Sequence, residues 1–191
     1  MDEKEIKIGQ AALAQFAKFG VRKTTMQDVA DAAHISRQTL YNYVAHKEAL
    51  LKLAARTYFT DNISRCEAEL ESVANLSDTL DILIQYFIAE PWQTMKAMPE
   101  ASDFEASTHD VIADEVQEAT KLKKNLIITY FFRFDHAEAL SADKMRIMGQ
   151  FFCASAAGIK STALTEDELR DMSTALKITF LAALDPASEA A

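Results

Sequence analysis

The chain contains little of what builds sheets, disulfide frameworks or membrane spans. Only four glycines and three prolines occur in 191 residues, and their scarcity favours helices throughout. Two cysteines far apart, Cys66 and Cys153, do not make a disulfide framework and fit core thiols in a reducing compartment. The most hydrophobic run, 126–134, is shorter than the ~18 residues that a membrane span needs.

Signals of export and of catalysis are also missing. The N-terminus, Met-Asp-Glu-Lys-Glu, has no basic region followed by an apolar run, which predicts a cytoplasmic protein. Glu105 and His109 form a single pair at helical spacing, whereas a di-iron bundle needs two such pairs. Cys-x-x-Cys, His-Glu-x-x-His, phosphate-binding glycine loops and nucleophile elbows do not occur. We therefore expect no catalytic residue, no metal and no cofactor, and hence no enzyme.

The chain lacks the positive charge typical of proteins that coat nucleic acid indiscriminately. Twenty Lys and Arg stand against 29 Asp and Glu, which gives a net charge of −9. Residues 1–60 contain nine basic and six acidic residues, a net of +3, whereas residues 61–191 contain 11 and 23, a net of −12. The mildly basic region 1–60, here called the head, is attracted to phosphates, whereas the acidic region 61–191, the body, is repelled by them. This asymmetry would orient the molecule on a nucleic acid.

Residues 25–47 predict two short helices joined by a tight turn. Thr25 and Asp28 stand at the spacing of a capping box, and Ser36 is a second N-cap candidate. Leu40 and other apolar residues at helical spacing face inward, which leaves a polar face on the second helix. Such a helix has the geometry to lie in the major groove of DNA.

The outward residues of the second helix have the chemistry of base and phosphate contacts. Arg37 and Gln38 are side-chain types that bond guanine and adenine edges bidentately, and Thr39 can touch a thymine methyl group. The two tyrosines of this helix and Lys47 suit phosphate contacts, which fix register without reading sequence. The candidate DNA-contacting residues are Thr25, Gln27, Ser36, Arg37, Gln38, Thr39, Tyr41, Tyr43 and Lys47.

The order and spacing of residues in roughly 8–54 resemble the TetR family of bacterial transcriptional regulators. Two positions depart from the family pattern: His34 stands at the turn position usually filled by glycine, and Val44 replaces a usual Phe. Because histidine tolerates a positive φ better than most residues, we expect the same turn at some cost in stability. The matching positions include Ala12, Leu13, Phe16, Phe19, Gly20, Thr24, Thr25, Val29, Ala30, Ala33, Ile35, Ser36, Thr39, Leu40, Tyr41 and residues 47–50.

The resemblance implies an all-α protein of two domains. Residues 1–46 would form a three-helix helix-turn-helix domain that binds DNA, and residues 47–191 a helical ligand-binding and dimerisation domain. Hydrophobic spacing predicts about nine helices and no strand. The fourth helix, over residues 47–70, is long enough to join the head to the body.

Local signals predict the other helix boundaries. The first helix covers about 3–19 and ends at Gly20, which we expect in a left-handed conformation. Ser77 is the expected cap of the fifth helix, and Pro91 and Pro99 frame an irregular piece. Long helices are expected at about 108–133, 142–162 and 166–184.

The last two helices are candidates for a homodimer interface. Both have apolar stripes at helical spacing, and small residues in 154–158 would let a neighbouring helix approach closely. From the residues alone, packing within the chain and pairing with a second copy are equally open. The resemblance favours a homodimer through about 142–184, because relatives dimerise through their final two long helices.

An effector site is expected in the central body. Methionine and aromatic side chains suit ligands of loose shape, although ordinary core packing also accounts for each residue taken singly. The resemblance implies a pocket for a small-molecule effector, whose identity the sequence does not give. The candidate lining residues are Trp92, Met95, Met98, Phe104 and Tyr130.

Together these features predict a ligand-responsive, sequence-specific transcriptional regulator, a repressor that an effector releases from its operator. Its partners would be double-stranded operator DNA, a second copy of the chain and the effector, with no membrane. Two other classes remain open. A helix-turn-helix that docks protein would show no salt-dependent DNA affinity, and an all-helical enzyme would need an acid–base or metal set.

Overall fold

The computed structural model describes residues 1–98, 108, 110–131, 133 and 141–184. Within these ranges the secondary structure is helical and contains no strand, which confirms the predicted all-α fold. No helix in the described ranges is long and apolar enough to cross a membrane.

The N-terminal part of the chain folds into four helices, and a side chain caps the start of each. Asp2, Thr25 and Ser36 cap the first three helices, as each accepts from a backbone N–H three residues later. His46 caps the fourth, because its Nδ1 accepts from the N–H of Ala49 at 3.2 Å. The four helices are α1 (Glu3–Phe19), α2 (Met26–Ala32), α3 (Arg37–Tyr43) and α4 (Lys47–Leu70).

Five more helices follow in the described residues. A π-helical segment, Gln85–Ala89, joins two of them without a break. The helices are α5 (Leu76–Ile84), α6 (Glu90–Ala97), α7 (Ala113–Phe131), α8 (Ala142–Thr162) and α9 (Glu166–Ala183).

Two predicted helix starts are wrong. Asn75, not Ser77, caps α5, because the Asn75 side-chain oxygen accepts from the N–H of Asp78 at 2.9 Å. The helix expected from residue 108 begins only at Ala113, because residues 110–112 form a turn.

The segment after Pro91 is helical to Ala97, so the predicted irregular piece is also wrong. Proline has no N–H to donate to the carbonyl of Phe87, four residues before it. Lys160 donates from Nζ to that carbonyl at 2.9 Å, which satisfies the oxygen from another helix.

Gly20 ends α1 and donates its N–H to the carbonyl of Phe16 at 2.9 Å. Its φ of 79° is positive as expected, but its ψ of 156° is extended and not left-handed helical. Only glycine adopts this backbone region readily. The chain therefore leaves α1 in an extended direction.

The chain divides into two compact units. The first contains residues 1–62 and 94–119, and the second contains 63–93 and 120–191, as far as these are described. Helix α4 begins in the first unit and ends in the second. The division of function between residues 1–46 and 47–191 stays a prediction.

Each unit has its own apolar core. In the first unit, the core holds Phe16, Val29 and Leu40 from three successive helices. Helices α1 and α4 approach so closely there that a Cβ on Gly9 would lie 2.0 Å from Thr57 Oγ1. The second core holds the buried aromatic residues Phe87, Phe131, Phe152 and Phe180.

Candidate nucleic-acid interface

The turn between α2 and α3 is a Schellman motif. His34 has a φ of 54° and donates its N–H to the carbonyl of Asp31 at 3.0 Å. Ile35 donates its N–H to the carbonyl of Ala30 at 3.0 Å, which completes the pair of bonds that defines the motif. The positive φ predicted at His34 is confirmed.

A capping box fixes the start of α2. The N–H of Asp28 donates to Thr25 Oγ1 at 3.2 Å, and the N–H of Thr25 donates to Asp28 Oδ2 at 2.8 Å. The backbone and side-chain bonds from Thr25 lower the pKa of Asp28, so its carboxylate stays ionised at neutral pH. Thr25 is exposed at this corner, but its hydroxyl is already hydrogen-bonded to Asp28, at 2.7 Å.

Helix α3 separates an apolar side from a polar side. Leu40 and Val44 are buried in the core of the first unit. Arg37 and Gln38 are exposed on the helix, as are Tyr41 and Tyr43. This is the orientation that a groove-reading helix requires.

Arg37 lies along the surface of α3 in the free protein. Its guanidinium carbon is 5.5 Å from the centre of the Tyr41 ring, and Nη2 is 3.4 Å from the Tyr41 hydroxyl. An exposed cation–π contact contributes about 0.5–1 kcal/mol, so it orders the arginine without fixing it. The guanidinium therefore remains able to turn toward a base.

Lys47 has a partner within the first unit. Its Nζ donates to the carbonyl of Arg22 at 3.0 Å, which ties the start of α4 to the segment before α2. Burial lowers the pKa of Lys47, and the nearby Asp28 carboxylate acts in the opposite direction. Lysine has three N–H donors, so the bond to Arg22 leaves capacity for a phosphate.

The other predicted contact residues lie beside these. Ser36 caps α3 by accepting from the N–H of Thr39 at 3.0 Å, and their hydroxyl oxygens are 2.8 Å apart. Gln27 is exposed and donates to Asp31 Oδ1 at 2.8 Å. All nine predicted residues belong to the first unit. Their contacts with DNA stay a prediction.

Asn42 was missed as a candidate contact, and no structural role was predicted for the matching position Thr24. Asn42 is exposed on α3 one turn after Gln38, and the four-residue spacing alone could have added it to the same face. Thr24 is buried and donates from Oγ1 to the carbonyl of Gly20 at 2.9 Å. It holds the loop before α2, a role for which nothing in the local pattern is distinctive.

The predicted effector-lining residues do not all fall in one unit. Trp92 and Tyr130 are buried in the second unit, where Trp92 Nε1 donates to the carbonyl of Ala163 at 3.0 Å. Met95 and Met98 are half-buried and belong to the first unit. Phe104 lies outside the described residues. That these side chains line one pocket stays a prediction.

The N-terminal part of the chain matches known regulators. Residues 8–54 match the family model described as bacterial regulatory proteins, tetR family. Over 41 residues the chain is 46% identical to the probable acrEF/envCD operon repressor of Escherichia coli K12, a match covering 22% of this chain and 19% of that protein. The chain thus matches about a fifth of the length of its curated relatives.

Solved structures share the fold of nearly the whole chain. The fatty acid degradation regulator FadR from Bacillus halodurans has a TM-score of 0.65 and 15% identity, with 97% of each chain covered. The transcriptional regulator FadR from Bacillus subtilis, in complex with stearoyl-CoA, has a TM-score of 0.58 and 15% identity, with 90% of this chain and 94% of that chain covered. Residues 8–54 are thus similar in sequence to bacterial regulatory proteins of the tetR family, and nearly the whole chain shares its fold with these solved structures.

Proposed function

We propose that this protein is a sequence-specific DNA-binding transcriptional regulator, a repressor that a small-molecule effector releases from its operator. The observation that carries the proposal is the exposed polar face of α3, which begins at a Schellman turn and a serine cap. The family match over residues 8–54 supports it, since that range contains the whole of α2 and α3.

The candidate residues divide by chemistry into readers and anchors. Arg37 and Gln38 stand on the first turn of α3, where long side chains reach base edges in the major groove. Tyr43 and Lys47 lie at and after the end of α3 and suit the phosphate backbone. Specificity would therefore depend on the first turn of α3, and affinity on both groups.

A second apolar face on α8 and α9 supports homodimerisation. The stripe containing Phe152 and Phe180 is buried within the chain, yet Ile147 and Phe151 on α8 are 54% and 48% exposed. Ile178 on α9 is 61% exposed. Intrachain packing therefore leaves an unpartnered apolar surface for a second copy.

The short length of α3 also favours a homodimer. One seven-residue helix reaches few base pairs, whereas two related by a two-fold axis bind half-sites about 34 Å apart. The same symmetry makes the face on α8 and α9 self-complementary, as an isologous interface must be.

Effector release is proposed as a population shift. The structurally similar regulator FadR from Bacillus subtilis was solved in complex with stearoyl-CoA, which supports a small-molecule effector for this protein as well. The free dimer would sample different distances between its two N-terminal DNA-binding domains. An effector that binds more tightly to dimers whose distance does not fit DNA shifts the population away from the operator-binding form, by its differential affinity for the two forms. Helix α4 is the natural link, because it starts four residues after α3 and continues into the second unit.

Such a regulator acts on chromosomal DNA in the cytoplasm and needs no catalytic residue, cofactor or metal. Its preferred sequence can be found by selecting bound duplexes from a random pool with the full-length protein. We expect a short inverted repeat and an affinity that falls steeply with salt, because phosphate contacts release counterions. Recovery of no common sequence at any salt concentration would overturn the proposal.

A further inference from the structure

Gln38 and Asn42 form the outermost edge of α3. Leu40 is the buried residue of this helix, and the two amides stand two residues before it and two residues after it. Two residues turn an α-helix by about 200°, so each amide lies within about 20° of the direction opposite Leu40. Both side chains are exposed. They are therefore the part of α3 that would reach farthest into a groove.

The two amides also have no bond within the protein to give up. Among the described residues, neither amide side chain takes part in a hydrogen bond. Arg37, by contrast, rests on the ring of Tyr41. Each amide offers two N–H donors and a carbonyl acceptor, which face solvent in the free protein. A base edge can therefore replace water at both side chains without breaking a contact inside the chain.

A carboxamide has the hydrogen-bonding pattern that matches adenine. Its oxygen accepts from the N6 amino group and its nitrogen donates to N7, both at the major-groove edge. Guanine presents two acceptors there, and cytosine presents a donor without the neighbouring acceptor. Residues four apart are separated by about 6 Å along a helix axis, whereas base pairs stack about 3.4 Å apart. The two amides therefore face different base pairs.

We propose that Gln38 and Asn42 each bind the major-groove edge of one adenine, so that every operator half-site carries two A·T pairs facing the outer edge of α3. This assignment rests on the proposed function, because it requires α3 to lie in the major groove. It makes Asn42, on the second turn of α3, a specificity-determining residue in addition to the residues of the first turn.

Base analogues test the contact from the side of the DNA. The full-length protein first selects its preferred duplex from a random pool, and single adenines of that duplex are then replaced with 7-deazaadenine. The analogue loses the N7 acceptor and keeps its pairing with thymine. At two positions of each half-site we expect the affinity to fall about three- to tenfold, as for the loss of one hydrogen bond. The remaining adenines should tolerate the analogue.

Carboxylate variants assign each adenine to its side chain. Aspartate and glutamate accept from cytosine N4 but have no donor for adenine N7. Renewed selection with Asn42→Asp should change one of the two adenines to cytosine, and Gln38→Glu should change the other. Both substitutions nearly preserve the side-chain shape, so the fold is retained. Gln10→Glu is the matched control, an exposed amide on α1, and should preserve both adenines.

The outcomes separate this assignment from the proposed function. A protein that selects no common sequence rejects the proposed function, and the assignment fails with it. A preferred duplex without two such adenines in each half-site, or one that tolerates 7-deazaadenine at either of them, overturns the assignment alone. An unchanged preference in Asn42→Asp, or a change of equal size in Gln10→Glu, does the same.

Discussion

At the scale of single residues, His34 shows how sequence and structure agree at a departure from the family pattern. Its φ of 54° is a conformation that glycine adopts freely and that costs an L-residue free energy. The residue is exposed, so its side chain is not needed for the core. The free energy of unfolding should therefore respond to the backbone alone.

Replacing His34 with glycine should stabilise the fold. We expect the free energy of unfolding to rise by about 1 kcal/mol, because glycine removes the cost of the left-handed conformation. Denaturant unfolding monitored by circular dichroism measures the change. His34→Asn serves as the control, since asparagine tolerates this region and should fall between the two. A less stable glycine variant would show that the imidazole makes a contact that outweighs the backbone cost.

Arg37 should read a base. Arg37→Ala is expected to weaken operator binding by about 1–3 kcal/mol and to relax discrimination at one base pair, provided that the guanidinium reaches guanine. Fluorescence anisotropy on a set of single-base operator variants measures both quantities. An equal loss on every duplex would reassign Arg37 to the phosphate backbone.

Lys47 should act differently, through charge. Lys47→Ala is expected to weaken binding to all duplexes and to reduce the salt slope by about one unit. The substitution also removes the bond from Lys47 to the Arg22 carbonyl, so we expect a small loss in the free energy of unfolding. Denaturant unfolding of the variant is therefore measured together with its DNA affinity. A wild-type salt slope in this variant would remove Lys47 from the contacts.

At the scale of helices, short-range sequence patterns predict helix ends and exposed faces well. They do not predict contacts between residues that are distant in sequence. The α2–α3 turn, the capping box and the outward face of α3 follow from residues within a few positions of one another. The start of α5 was missed because Asn75 and Ser77 are both good caps, and only the hydrogen bond to Asp78 distinguishes them. The Phe87 carbonyl, four residues before Pro91, accepts from Lys160, and no local pattern connects these two residues.

Helices α1 and α4 meet at a glycine, and substitution there should separate them. Gly9→Ala would place a Cβ 2.0 Å from Thr57 Oγ1 and 2.8 Å from Thr57 Cβ. Forcing these helices apart should lower the free energy of unfolding by about 1–3 kcal/mol.

Gly158→Ala is the matched control, because a Cβ there meets nothing within 4 Å in the single chain, and both substitutions are made in the Ile147→Glu background so that the proposed dimer interface does not contribute. Helix propensity predicts that it raises stability by about 0.5–1 kcal/mol. Thermal unfolding of both variants at one protein concentration makes the comparison. Equal effects of the two substitutions would mean that the α1–α4 contact yields without cost.

At the scale of the whole molecule, charge and apolar surface point to different partners. In the proposed complex, the net of +3 in residues 1–60 and −12 in the remainder would direct the N-terminal region toward DNA. The exposed apolar residues of α8 and α9 favour association with a second copy of the chain. The sequence predicted both features, but burial was needed to show which stripe each helix turns outward.

Ile147→Glu should disrupt the homodimer. A carboxylate placed on each copy in an apolar interface is desolvated and repelled by its twin, so we expect a monomer in sedimentation velocity. Leu122→Glu is the matched control, because Leu122 on α7 is equally exposed, at 54%. A monomeric Leu122→Glu, or a dimeric Ile147→Glu, would place the interface elsewhere.

The measurement closest to the central claim is a salt titration of the affinity for a selected duplex and for a scrambled duplex of equal length. The full-length protein should bind the selected duplex far more tightly, with an affinity that falls steeply as salt rises. The double variant Arg37→Ala, Gln38→Ala should lose the preference while keeping most of the salt dependence, since phosphate contacts remain. If the double variant discriminates as well as the wild type, α3 does not read DNA.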